Sequence, residues 1–321
     1  MSVRGKSPSR RTMLMGSIAA AGLAGCTTDG GSTGASSARG SGAPSASSAT
    51  ATPTPRPTLP TGGRTIFPAH RLFGYSGSPA SPALGRLGVG NDLNARVDEM
   101  LRQSTDFAAG RKILPVVELI ATLVHPKPGA DGMYRSRVER SVVDTYLAAA
   151  RRAKGILLLN IQPGRAEFID EVRYFESYLT QPDVGVALDP EWSVKEGQVP
   201  GRVFGSTTGA ALDECARYLS GLVTKHDLPE KVMLYHQLHL SIVSQETDLK
   251  QHPGIALVKS IDGIGSPADK KKAYDMIVAQ TPSYVRKGFK LFFEEDARSG
   301  PLMTAEQVLA LSPQPEYVLY E

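Results

Sequence analysis

Asp189 and Glu191 are separated by one residue, and the chain's single tryptophan, Trp192, follows them directly. They close the stretch Val-Gly-Val-Ala-Leu-Asp-Pro-Glu-Trp over residues 184–192. Val186 and Leu188 alternate with small residues, which predicts a strand with period-two side chains. If the strand stays extended through Pro190, both carboxylates share a face about 6–7 Å apart. Proline removes a backbone donor, so the strand is expected to end there. Two acids on one face beside an indole can protonate a leaving oxygen and activate water, as glycosidic hydrolysis requires. A solvated junction between strand and loop is the plainer reading of the same residues.

Other polar residues fall where predicted strands end. They are Tyr75, Glu118, Asn160 with Gln162, His236 with Gln237, Asp262, and Glu294 with Glu295 and Asp296. In a hydrolase reading, Glu191 is the general acid, with Pro190, Trp192 and Asp189 as its surroundings. Glu294 or Glu295 is then the nucleophile or base across the sugar. Asn160, Gln162, His236 and Gln237 would bond substrate hydroxyls, with Tyr75, Glu118 and Asp262 completing the rim. Trp192 or Tyr235 would stack on a sugar face. A second reading keeps these residues for binding alone. A third gives Glu118, Asp189, His236 and Asp262 to a divalent metal in a phosphoester or amide hydrolase. No short-spaced ligand cluster supports that third reading, so no metal is expected. Lys259, on a predicted strand, would be placed for a Schiff base but more often such a lysine pairs with a carboxylate.

The elements that must position these groups alternate. Strands are predicted at residues 71–75, 113–120, 155–162, 184–192, 231–238, 254–262, 288–296 and 316–321. Helices are predicted between them at 93–108, 135–154, 166–179, 210–226, 241–251, 268–280 and 304–311, with Thr304 as an N-cap. Near-continuous apolar strands imply a parallel sheet covered on both faces. Eight strands in residues 66–321 predict an α/β fold of the (β/α)8 TIM-barrel type, whose sites lie at the C-terminal strand ends. A doubly wound open sheet is the alternative architecture. No Gly-x-Gly-x-x-Gly follows the first strand and no Walker A loop is present, so no cofactor is expected.

The fourth predicted strand, Asp-Val-Gly-Val-Ala-Leu-Asp-Pro-Glu over 183–191, resembles the strand-four motif of family-18 glycoside hydrolases, the chitinase group. Asp189 and Glu191 match the final Asp-x-Glu of that motif. Ala187 stands at the place of its middle aspartate, and Asp183 is one residue out of step. The resemblance implies a glycan substrate and Glu191 as the acid. More broadly, barrel glycosidases pair an acid on strand four with one on strand seven.

The N-terminal arm carries its own signals. Arg10 and Arg11 precede a short apolar run ending in Leu-Ala-Gly-Cys at residues 23–26. A basic start with so short a run reads as a signal peptide over residues 1–25, not a membrane span. The run's end resembles the lipobox of bacterial lipoproteins, in which the cysteine, here Cys26, becomes the palmitate-type acylated N-terminus. Ser-Arg-Arg-Thr-Met-Leu at 9–14 also resembles a twin-arginine export signal. Residues 26–65, rich in Ser, Gly, Thr and Pro, predict a disordered linker. Export and a lipid on Cys26 predict a protein on the extracytoplasmic face of a bacterial membrane, with a cell-envelope glycan as its partner. The formal charge of +4 arises in this arm: residues 1–65 hold seven basic side chains and one acid, leaving −2 for the rest. Nucleic acid is therefore excluded as an expected partner. A monomer is expected. The two cysteines, Cys26 and Cys215, cannot make a disulfide framework, and Cys215 fits a helix core.

Overall fold

The computed structural model describes residues 55–321; the expected signal peptide and Cys26 lie outside the described residues. Eight strands run parallel: β1 (His70–Gly77), β2 (Lys112–Val124), β3 (Ile156–Ile161), β4 (Val184–Leu188), β5 (Lys231–Gln237), β6 (Ile255–Ile261), β7 (Arg286–Leu291) and β8 (Tyr317–Tyr320). Each pairs with the next in sequence, and β8 returns to β1 with Leu72 opposite Tyr317. The sheet is therefore a closed eight-stranded parallel barrel, as the alternation predicted.

Helices α1 (Leu93–Ser104), α2 (Arg140–Arg152), α3 (Phe168–Tyr174), α4 (Glu176–Leu179), α5 (Gly209–Lys225), α6 (Pro267–Val278) and α7 (Ala305–Leu309) cover the outside. Four of the seven starts are fixed by side chains. Asp92, Thr208, Ser266 and Thr304 each accept a first-turn N–H, and Thr304 forms a capping box with Gln307. Among the described residues no helix is long and apolar enough to cross a bilayer.

Two departures matter for the site. The helix predicted at 241–251 does not form. That connection is made of two 3-10 turns, Leu240–Ile242 and Glu246–Asp248, around a two-residue strand paired with Thr207–Thr208. Its apolar residues Ile242, Val243 and Leu249 are buried in the outer core instead of repeating along one helical stripe. In addition, β2 outruns its neighbours, and the strand Arg135–Arg137 pairs antiparallel to its end. This strand forms where the helix predicted at 135–154 was to begin. Arg135 and Arg137 both reach the fully buried Glu171 on α3 at 2.7 Å.

Strand parity divides the core in two. Outward residues such as Phe73, Val117, Leu159 and Met233 pack under the helices. Inward residues, among them Leu72, Val116, Leu158, Leu234 and Val258, fill the barrel. Leu59 and Ile66, at 2% and 1% exposure, join that inner cluster. The linker boundary expected at residue 65 is thus corrected: the compact unit begins at Arg56, because Leu59 is buried with the barrel interior and Arg64 bonds Asp227 and the Leu228 carbonyl.

Candidate active site

The inner side chains change from apolar to charged toward the C-terminal ends of the strands. Ser76, Glu118, Asn160, Asp189, His236, Asp262, Lys290 and Tyr317, one from each strand or its end, are all buried. Parity places Glu118 inward, because it continues the inward row of Leu114 and Val116. The same rule aims Asn160, His236 and Lys290 into the barrel.

His236 joins two acids. Its Nδ1 lies 2.8 Å from Asp262 Oδ2 and its Nε2 lies 3.0 Å from Glu118 Oε1. With both carboxylates ionised they only accept, so both ring nitrogens donate and the ring is an imidazolium. Burial alone would lower its pKa. The charges of Asp262 and Glu118 outweigh burial and hold it well above its usual range. Burial would likewise raise the Asp262 pKa, but His236 and Lys290 pull it well below the usual carboxylate range.

The network extends around the barrel. Tyr317 donates its hydroxyl to Glu118 Oε2 at 3.0 Å, and Asn160 Nδ2 donates to Glu118 Oε1 at 3.0 Å. Ser260 donates to Asp262 Oδ1 at 2.6 Å. Lys290 Nζ lies 3.3 Å from Asp262 and 2.6 Å from Glu321, which also accepts from Ser76 at 3.2 Å. Burial opposes the Lys290 charge, but Asp262, Glu321, Asp189 and Glu118 more than restore it. Asn160 Oδ1 is a buried acceptor with no hydrogen-bond partner among the described residues.

The stretch 184–192 does not stay extended. β4 ends at Leu188, and Pro190–Trp192 turn as a 3-10 helix, because proline cannot continue the ladder. Asp189, Glu191 and Trp192 are nevertheless all buried, at 6%, 5% and 6% exposure. Gln162 Nε2 donates to Asp189 Oδ2 at 3.3 Å. The Glu191 carbonyl accepts from Gly205 N at 2.6 Å, so the loop before α5 is seated on this turn. Gly205 is required there: a Cβ would stand 2.1 Å from the Ser193 carbonyl.

The structure thus brings together Glu118, Asn160, His236 and Asp262, and joins Gln162 to Asp189. It does not bring in Tyr75, Tyr235 or Gln237, whose odd-numbered positions turn them to the outer face. Tyr75 donates to Gln103 on α1 at 2.5 Å, and Tyr235 bonds Glu246. β7 ends at Leu291, before Glu294 and Glu295. The Glu294 side chain is 83% exposed and pairs with Arg298 at 3.6 Å, while Glu295 is partly buried at the start of the turn Asp296–Arg298. Asp296, by contrast, is buried and structural. It accepts from Gly265 N and Phe292 N and pairs with Lys270 at 2.9 Å. Lys259 points outward to Glu246, away from the barrel interior. Lys290, Tyr317, Glu321, Ser76 and Ser260 belong to the site and were not expected there. The only sequence signal for them was the charge of Lys290 inside an apolar strand.

Among the described residues no group of three or more His, Cys, Asp or Glu is disposed to hold a metal ion.

No family model and no curated protein matches the chain. Among solved structures, it is similar to a GH18 chitinase from Pseudoalteromonas aurantia at 13% identity and a TM-score of 0.36. That match covers 79% of this chain and 93% of the other. A likeness at this level carries no argument about activity.

Proposed function

We propose that this protein hydrolyses a glycan at the C-terminal mouth of its barrel while held to the outer face of a bacterial membrane by lipid on Cys26. The observation that carries the reading is the convergence of polar side chains from all eight strands beneath the Asp189–Glu191–Trp192 turn. Glu191 protonates the glycosidic oxygen. Asp189, oriented by Gln162 and facing the charge of Lys290, activates the attacking water. Asn160 Oδ1 accepts from a substrate hydroxyl, and Trp192 contributes apolar surface beside the acid.

One observation favours binding without turnover. The strand-seven acid expected to complete a two-carboxylate pair, Glu294, stands in solvent. The test is release of reducing ends from a panel of cell-wall and storage glycans, with Glu191→Gln beside the native protein. Turnover lost in the variant supports hydrolysis, and binding without turnover in both supports the second reading. Neither binding nor turnover on any glycan overturns both. The anchor is tested separately by labelling with radioactive palmitate, which must vanish in Cys26→Ser.

A further inference from the structure

The ladder between β6 and β7 stops short of the site. Its last pair is Phe289 opposite Ile261. The next residues in that register are Lys290 and Asp262, whose ion pair at 3.3 Å belongs to the barrel network. Each is tied to its other neighbour. Asp262 N donates to the Gln237 carbonyl at 3.1 Å, and Lys290 pairs with Leu319 on β8. Pairing between β6 and β7 therefore does not set the gap between Asp262 and Lys290.

A buried ion pair crosses the same seam beyond the ladder. Lys270 on α6 and Asp296 after β7 are 2% and 1% exposed and lie 2.9 Å apart. Asp296 Oδ1 accepts from Gly265 N at 3.0 Å, three residues past Asp262. Its Oδ2 accepts from Phe292 N at 2.9 Å, two residues past Lys290. Lys270 donates to the carbonyl of Gly263, next to Asp262, at 2.5 Å. The Phe292 ring lies 5.3 Å from Lys270 Nζ and 5.0 Å from Lys290 Nζ, so one ring meets both the brace and the site.

A buried charge pair gains little stability over apolar residues of similar volume. What this pair fixes is position, because three backbone groups from two loops converge on it. Asp262 is the shared partner of Lys290 and of the His236 ring, 2.8 Å away. A change in the seam is therefore felt at His236. We infer that Lys270 and Asp296 are positioning residues for the barrel mouth: through Asp262 and Lys290 they set the contact between Asp262 and His236.

The inference rests on the reading of the mouth as the functional site, but its test needs no turnover. The full-length chain, carbon-13-labelled at histidine, is followed by NMR through a pH titration, with His236→Gln assigning the His236 signal. The groups that face that ring are Glu118 from β2, Asn160 from β3, Asp262 from the end of β6 and Lys290 from β7. Lys270→Met combined with Asp296→Asn removes both charges together, so net charge is kept and a shift reports geometry. The His236 midpoint is expected to fall by about one pH unit or more, a tenfold weaker hold on the proton. Lys270→Met alone is the second variant. By charge alone it would raise the midpoint, so a fall again reports geometry. Thermal unfolding shows which variants fold. An unchanged or raised midpoint in a folded variant would overturn the inference, since a role in stability alone would leave the ring's titration in place. So would failure of both variants to fold. Absence of turnover on every glycan would sink the hydrolase reading and leave this measurement standing.

Discussion

His236 Nδ1 lies 2.8 Å from Asp262 Oδ2, and both side chains are buried inside the barrel. Breaking a buried pair leaves an uncompensated charge, which costs about 3–5 kcal/mol. His236→Gln is therefore expected to lower stability by that order, read as a shift in the urea midpoint at constant slope.

The same pair fixes a pH dependence. The His236 pKa is raised on folding, so its contribution is complete below the unfolded value near 6.5 and is lost as pH rises through the folded value. The Asp262 pKa is lowered, so its contribution is complete above about pH 4 and is lost as pH falls through the folded value. The stability difference between the native protein and His236→Gln should be greatest between about pH 4 and 6.5. Urea midpoints taken across pH check this, and a difference independent of pH would rule out the imidazolium.

Glu294→Gln should leave activity within about twofold and stability within about 0.5 kcal/mol of the native values. The side chain is 83% exposed and its partner Arg298 is 72% exposed. A large loss of turnover would restore Glu294 to the chemistry.

Gly205→Ala probes the lip of the site. An added methyl 2.1 Å from the Ser193 carbonyl must push the loop off the turn that carries Glu191. Displacing a catalytic group by about 1 Å can cost on the order of 100-fold in rate. That drop in kcat is expected together with an unchanged circular dichroism spectrum.

Leu59→Ala tests the floor of the barrel. Its side chain is 2% exposed among the inward core residues. Truncation of a buried leucine costs about 2–5 kcal/mol, and equilibrium unfolding should show a loss in that range.

Much of this architecture is legible in the sequence because β3, β4 and β5 are nearly unbroken apolar runs with polar residues at their ends. Glu118, Asn160, His236 and Asp262 could be picked out for the same reason. Facing was harder to read. Gln237 and His236 are neighbours, yet a single position decides which one enters the barrel. Tyr75 and Tyr235 were drawn into the expected site by their proximity to strand ends, and parity removes them. Glu294 and Glu295 lie beyond the strand predicted to carry them, because the apolar residues after Lys290 continue past the point where pairing with β8 ends. Lys290, Tyr317 and Glu321 come from late strands, and only the closure of β8 on β1 sets them opposite Glu118 and Ser76. The 241–251 segment has helix-compatible apolar spacing, but strand pairing with Thr207–Thr208 claims it instead.

Leu59 and Ile66 stopper the barrel from below, so the entering chain is wedged into the interior as well as tied to the exterior through Arg64 and Asp227. A pull applied at Arg56 is carried through Leu59 into the packed centre. A protease that frees the barrel intact has to cut before that wedge, and a cut behind Leu59 would uncork it.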